Sequence, residues 1–131
     1  MTAQLMDELL INDQEYRVAS QIQLPKRRSK RWRHIEKVPL AEWQPLFRST
    51  LCWRNYSAVW EITDNKLFLK YLDGCYQLKA NEPLWAEWVT TTIRLITTES
   101  WFCTFDSEFE NEFVLQVVNG LAVNGATPLS K

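Results

Sequence analysis

The feature that most constrains the fold is an alternation of apolar residues on both sides of a short polar turn, between residues 53 and 72. The turn is Asp64-Asn65, and both residue types accept the left-handed backbone conformation of a tight β-turn. A β-hairpin with this loop would have three cross-strand pairs on one face: Ile62 with Leu67, Trp60 with Leu69, and Ala58 with Tyr71. Such pairs each stabilise a sheet by roughly 0.2–1 kcal/mol. We therefore predict a hairpin at the centre of the core.

Two further hairpins are indicated by the same reasoning. Asn12-Asp13 separates the apolar residues 9–11 from residues 16–18, although a helix over residues 4–11 is a competing prediction. Asn119-Gly120 separates residues 113–118 from residues 121–123. The second signal is the stronger one, because Asn-Gly suits a type I′ turn.

Single strands are expected at residues 49–53, 75–78, 90–96 and 101–105, where apolar, aromatic or β-branched residues dominate. Residues 81–83 favour a helical turn, because Pro83 is tolerated in a first turn, and this turn would place Trp85 and Trp88 on one side. No long amphipathic helix pattern is present. The chain is therefore predicted to be mostly β, an antiparallel curled sheet or barrel built from hairpins, with at most short helical turns.

Length and composition predict one domain over residues 1–131. Its 131 residues suffice for a substantial core, and the net charge of −1 provides no global field that would attract nucleic acid or membranes. The three cysteines are odd in number and form no CxxC pair, which favours free thiols in a reducing cytoplasm. A basic, apolar signal peptide and an apolar run of ~18 residues are both missing, so we expect a cytoplasmic protein that does not span a membrane.

Residues 20–47 break the strand pattern. Three prolines punctuate this segment, and a basic run occupies residues 26–37. We expect a long connection with one helical turn near residues 40–43. Connections of this length are uncommon in compact domains and are usually functional or mobile.

Two stretches resemble a pattern in small bacterial proteins of no established activity. Residues 53–62, WRNYSAVWEI, are similar to W-R-G-Y followed by W-x-I, and Leu67-Phe68-Leu69 is similar to the L-Y-L of the return strand. Residues 88–95, WVTTTIRL, are similar to W-x-S-G-x-L-x-I. Asn55 and Thr91 stand where those proteins have Gly. Asn still accepts a left-handed turn, whereas Thr91 favours an extended backbone. The resemblance implies a shared β fold and no particular reaction.

Catalytic and metal-binding patterns are scarce. His34 is the only histidine and lies in the basic run, which favours a solvated side chain over a triad member oriented by Glu36. Neither a metal site nor a cofactor is predicted, and no glycine-rich phosphate loop occurs. An enzyme that uses a pair of carboxylates is the third functional alternative.

An acidic run carries the first functional hypothesis. At residues 106–112, DSEFENE, four carboxylates alternate, so a strand would place them on one face, solvated or matched by cations. We predict a non-enzymatic domain that binds a basic protein partner, as an immunity or antitoxin-like inhibitor does. The predicted contact residues are Asp106, Glu108, Glu110 and Glu112. A homodimer through exposed tryptophans is also left open.

The basic run carries the alternative hypothesis, a nucleic-acid-associated accessory protein. Arginines and lysines would contact phosphates while a tryptophan stacks on a base. The predicted contact residues are Lys26, Arg27, Arg28, Lys30, Arg31, Trp32 and Arg33. In the simplest alternative, the basic and acidic runs pair with each other within the molecule, or both are solvated.

Overall fold

The computed structural model describes residues 3–80, 82–104, 109, 112–123 and 129–130. Strands dominate this part of the chain, and its helical segments are short 3₁₀ turns. The strands are β1 Gln4–Leu5, β2 Asp7–Ile11, β3 Gln14–Val18, β4 Ile35–Lys37, β5 Tyr56–Thr63, β6 Lys66–Gly74, β7 Tyr76–Leu78, β8 Leu84–Trp85, β9 Thr91–Ile96, β10 Phe102–Cys103, β11 Phe113–Val118, β12 Leu121–Ala122 and β13 Leu129–Ser130. The predicted mostly-β fold is confirmed.

Within the described residues, seven strands close into a β-barrel. Their order is β12-β11-β9-β3-β2-β5-β6, and the pairing of Leu121 with Lys66 returns β12 to β6. Most neighbours are antiparallel, whereas β2 and β5 are parallel, with Leu9 opposite Trp60. Two small sheets, β1-β10 and β4-β7, lie beside the barrel. Closure leaves the seven strands without a free edge, which protects them from edge-to-edge aggregation.

The central hairpin forms as predicted except near its open end. Ile62 pairs with Leu67 and Trp60 pairs with Leu69. Ala58, however, pairs with Leu72 instead of Tyr71, because a β-bulge interrupts the register between Val59 and Trp60. The extra residue reverses the inside-outside alternation of β6. Leu72 is consequently buried, and Tyr71 lies on the surface with 53% of its area exposed.

The other two predicted hairpins are also present. β2 and β3 are joined by Asn12-Asp13, both at positive φ, so the competing helix over residues 4–11 does not form. β11 and β12 are joined by Asn119-Gly120, at φ 49° and 76°. Thr91 begins β9 and is extended, as its β-branched side chain predicted.

Two local predictions are wrong. The segment 49–53 is a series of turns instead of a strand: the Ser49 hydroxyl donates to the Leu46 carbonyl, and the Cys52 amide donates to the Ser49 carbonyl. Such local hydrogen bonds compete with a sheet ladder for backbone groups. The helical turn expected after Pro83 is replaced by β8, because tertiary pairing with Phe68 and Leu69 outweighs the local preference.

The connection at residues 20–47 contains more regular structure than the sequence predicted. The expected turn is present as a 3₁₀ helix at Leu40–Glu42, and further 3₁₀ helices occupy Lys30–His34 and Pro45–Arg48. In addition, β4 pairs with β7 and holds residues 35–37 against the rest of the fold. The basic run is therefore anchored at its carboxyl end.

Candidate binding surfaces

A buried aspartate organises the base of the central hairpin. Asp7 is 2% exposed and accepts hydrogen bonds from the Arg54 guanidinium, the Ala58 amide and the Trp60 indole, at 2.9–3.2 Å. Arg54 also donates to the Leu5 carbonyl and lies 4.8 Å from the centre of the Tyr56 ring. Burial acts against the charge of Arg54, but Asp7 outweighs it and the pKa of Arg54 is raised. These hydrogen bonds hold in place the backbone segments that carry the neighbouring surfaces.

The first of these surfaces is a cleft of about 190 Å³ between Tyr71 and Trp101, which we call the aromatic cleft. The carboxylates of Glu8 and Asp73 also line it, whereas no lysine or arginine does. Its remaining lining is apolar or small and consists of Leu5, Met6, Ser57, Ala58 and Val59. The cleft therefore combines aromatic walls with negative charge.

Glu8 is the more constrained of the two carboxylates. Burial and, to a smaller extent, the neighbouring Glu15 raise the pKa of Glu8, and Arg17 opposes them at 3.8 Å. The Arg17 guanidinium stacks 3.4 Å from the centre of the Trp101 ring. A second cation that entered the cleft would meet a partly desolvated carboxylate beside the ring of Tyr71 and the ring of Trp101, on which Arg17 already stacks.

Two exposed tryptophans lie next to β1 in the sheet region around the cleft. Trp53 is 61% exposed and Trp101 is 43% exposed. The backbone segments that carry the two tryptophans bond to neighbouring residues of the segment around β1. The Leu5 amide donates to the Leu51 carbonyl, and the Met6 amide donates to the Trp101 carbonyl. Large exposed aromatic residues in one region are typical of protein-binding surfaces.

Of the predicted acidic contact residues, Asp106, Glu108 and Glu110 lie outside the described residues. Glu112 lies inside them and is 3% exposed, where it forms an ion pair with Arg94 of β9. It is thus a core-facing carboxylate matched by a cation, and it does not belong to a solvent-facing contact surface. The acidic run follows the aromatic cleft directly in the chain, a few residues after Trp101.

The predicted basic contact residues divide into two groups. Exposed side chains belong to Lys26, Arg27, Arg28, Lys30 and Arg33. Arg31 instead forms an ion pair with Glu87, and Trp32 packs edge-on against Tyr76 at 5.2 Å and against the core. A second cleft, of about 400 Å³, lies between the 3₁₀ helix at Lys30–His34 and Trp88. Trp88 lies beside the cations of this cleft, and the Trp32 ring lies 5.8 Å from the Arg27 guanidinium.

Among the described residues, the thiols are poor nucleophiles and the ligand-type side chains form no metal-binding group. Burial raises the pKa of the Cys52, Cys75 and Cys103 thiols, to about 11 for Cys75, so all three are poor nucleophiles. His34 is exposed. No group of three or more His, Cys, Asp or Glu side chains in this part of the chain could hold a metal ion. Equally, none of its helices is long and apolar enough to cross a membrane.

The chain matches no known family model, curated protein or solved structure.

Sequence reasoning missed the aromatic cleft for an identifiable reason. Strict alternation predicts that Tyr71 lies in the core, and only the bulge in β6 turns it outward. Trp101 follows the polar residues Thr97–Ser100, whose composition indicates a surface loop. That composition is a signal that Trp101 lies near the surface. Glu8 alternates with buried residues of β2, which marks it as outward-facing but does not reveal which side chains lie next to it.

Proposed function

We propose that this protein is a non-enzymatic domain that binds a basic protein partner. The observation that carries the proposal is the aromatic cleft, which is lined by Tyr71, Trp101 and the carboxylates of Glu8 and Asp73. No lysine or arginine lines it, although Arg17 pairs with Glu8 and stacks on Trp101 from outside the lining. An inserted Lys or Arg side chain would gain cation–π attraction from the rings and Coulomb attraction from Glu8 and Asp73. Such attraction is worth ~0.5–2 kcal/mol per aromatic contact.

The acidic run supports the same partner class. Asp106, Glu108 and Glu110 follow Trp101 of the cleft in the sequence, and all three are negatively charged. Complementary charge acts mainly on the rate of association, whereas a filled pocket slows dissociation. An inhibitor of a basic enzyme, in the manner of immunity proteins and antitoxins, is the form of this function that we favour.

A basic peptide provides a direct test. The probe is an arginine-containing hexapeptide, and the matched control peptide has glutamine in place of arginine. We expect the arginine peptide alone to bind, measured by isothermal titration calorimetry at ~150 mM salt, where exposed charges are screened beyond ~8 Å. Tyr71→Ser and Glu8→Gln should each weaken binding several-fold. Val123→Ser, at an apolar side chain that is 56% exposed elsewhere, should leave binding unchanged.

Equal binding of both peptides, or equal weakening by Val123→Ser, would contradict the proposed cleft. A separate variant in which Asp106, Glu108 and Glu110 become Asn or Gln tests the acidic run. It should slow association of the arginine peptide, with little change in its dissociation rate. Glu112 is left unchanged, because it is buried and forms an ion pair with Arg94, so its replacement would also disturb the fold.

A nucleic-acid-associated protein is the second candidate. It is favoured by the exposed cations Lys30 and Arg33, which line a cleft with Trp88. If this function holds, a single-stranded DNA or RNA titration will show binding that falls steeply between ~50 and ~200 mM salt. Replacing Arg27, Arg28, Arg31 and Arg33 by Ala will abolish it. Without such binding at ~150 mM salt, the protein-partner proposal stands alone.

A further inference from the structure

A third cavity, of about 260 Å³, lies between the basic connection and the base of the central hairpin. Three positively charged side chains line it, and no carboxylate does. We call it the cationic cavity; its lining residues are Arg27, Lys37, Val38, Trp43, Arg54, Asn55, Cys75 and Tyr76. Its charge is opposite to that of the aromatic cleft, so it needs a different ligand.

The walls of the cationic cavity are held by hydrogen bonds within the protein. The Val38 amide donates to the Cys75 carbonyl at 2.9 Å, and the Trp43 indole donates to the Val38 carbonyl at 2.7 Å. On the opposite side, Arg27 donates to the Tyr76 hydroxyl at 3.2 Å. Because these walls are already held in place, little of the protein has to be ordered when a ligand binds, which favours the binding of a small molecule.

The charges of the cavity sum to an excess of two. Arg54 is neutralised by Asp7 beneath it, at 2.9 Å. Arg27 and Lys37 form no ion pair with any carboxylate of the described residues. Glu36 precedes Lys37 in β4 and therefore points to the other face of the strand, where it accepts a hydrogen bond from Gln77. Two uncompensated cations match the charge of a phosphate monoester, about −1.5 to −2 at pH 7.

The rings of Trp43 and Tyr76 indicate the chemical character of the uncharged part of the ligand. They give the cavity aromatic walls beside the cations, and its volume lies just below the ~300 Å³ at which typical ligand sites begin. We propose that the cationic cavity binds a small phosphate monoester whose organic part is a single flat ring. Arg27 and Lys37 hold the phosphate, while Trp43 and Tyr76 contact the ring.

Phenyl phosphate is the probe that tests this site. Calorimetry at about pH 8, above the second pKa of a phosphate near 6, keeps the probe dianionic. The indole N–H resonance of Trp43 should shift during the same titration. Benzenesulfonate, which has the ring but one charge, and inorganic phosphate, which has the charge but no ring, should each bind at least about tenfold more weakly.

Variants locate the site. Arg27→Met and Lys37→Met keep the apolar stems and should each weaken phenyl phosphate binding about tenfold or more. Arg28→Met is the matched control, because Arg28 is exposed next to Arg27 but does not line the cavity. Equal weakening by Arg28→Met, or equal affinity for benzenesulfonate, would overturn the proposal. A phosphotyrosine peptide that binds more tightly than phenyl phosphate would overturn the assignment to a free small molecule.

The arginine-peptide experiment leaves this site untouched, since the aromatic cleft and the cationic cavity share no lining residue. Failure of one proposal therefore does not decide the other. Arg27→Met should leave arginine-peptide binding unchanged, and Tyr71→Ser should leave phenyl phosphate binding unchanged.

Discussion

At the scale of single residues, Asp7 is the group on which most local order depends. Its two carboxylate oxygens accept hydrogen bonds from the guanidinium of Arg54, a backbone amide and the indole of Trp60. A buried ion pair contributes little compared with an apolar pair of the same shape, but loss of one member leaves an uncompensated buried charge. The network is therefore costly to break.

The first prediction concerns Asp7→Asn. It retains the shape of the side chain but leaves Arg54, which is 14% exposed, without its counter-charge. We expect the free energy of unfolding to fall by ~3–5 kcal/mol, measured by urea denaturation. Glu61→Gln is the control, because its ion pair with Lys70 is partly exposed and worth only ~0–1 kcal/mol. A similar loss of unfolding free energy in both variants would show that the Asp7 network contributes no more to stability than an exposed ion pair.

The second prediction concerns Cys75, the least buried of the three cysteines. Burial raises the pKa of its thiol to about 11, so at pH 8 only ~0.1% is thiolate. Iodoacetamide should therefore modify it roughly 100-fold more slowly than an unperturbed cysteine with a pKa near 9. Mass spectrometry of the intact protein should find three free, unmodified thiols, and rapid alkylation in the folded state would contradict this.

At the scale of elements, the β11-β12 hairpin closes the barrel through its turn. The Gly120 carbonyl accepts from the Leu67 amide at 2.8 Å, and the Gly120 amide donates to the Val89 carbonyl at 2.9 Å. Gly120 has φ 76°, and a Cβ atom there would lie 2.6 Å from the Ala86 carbonyl oxygen. Both conditions exclude a larger residue.

The third prediction follows from this turn. Gly120→Ala should lower the free energy of unfolding by at least ~1–3 kcal/mol, since both strain and a clash arise. Asn119→Gly, at the preceding left-handed position, should change stability far less, because Gly adopts positive φ without strain. Thermal melts followed by circular dichroism compare the two variants. An unchanged melting temperature for Gly120→Ala would mean that the turn relaxes.

The elements also show what a sequence can and cannot predict. The hairpin turns at Asn12-Asp13, Asp64-Asn65 and Asn119-Gly120 were all correct, because turn chemistry is local. The position of Tyr71 was wrong, because a bulge depends on the partner strand. The aromatic cleft and the cationic cavity were missed for a related reason. Each joins residues far apart in sequence, such as Glu8 with Trp101 and Arg27 with Cys75.

At the scale of the whole molecule, the basic connection should be cut by a protease more readily than the barrel. Lys26, Arg27 and Arg28 are exposed and precede the first 3₁₀ helix, whereas residues 35–37 are paired in β4. We therefore expect trypsin to cut first in the basic run, at its exposed amino end.

The fourth prediction is that the nicked protein stays assembled. Cleavage after residues 26–28 separates β2 and β3 from the other barrel strands, yet β2 remains paired with β5 and β3 with β9. Both fragments should therefore elute together in gel filtration under native conditions and separate in urea. Separation under native conditions would show that the amino-terminal hairpin depends on its covalent connection.

The parallel pairing of β2 with β5 has one further consequence. The amino-terminal hairpin fills a slot between β5 and β9, which lie far along the chain, so the barrel remains an open sheet until that hairpin is inserted. Any second copy presents the same slot and the same hairpin. Reciprocal exchange of hairpins between two copies would preserve every strand pairing of the barrel while linking the two molecules.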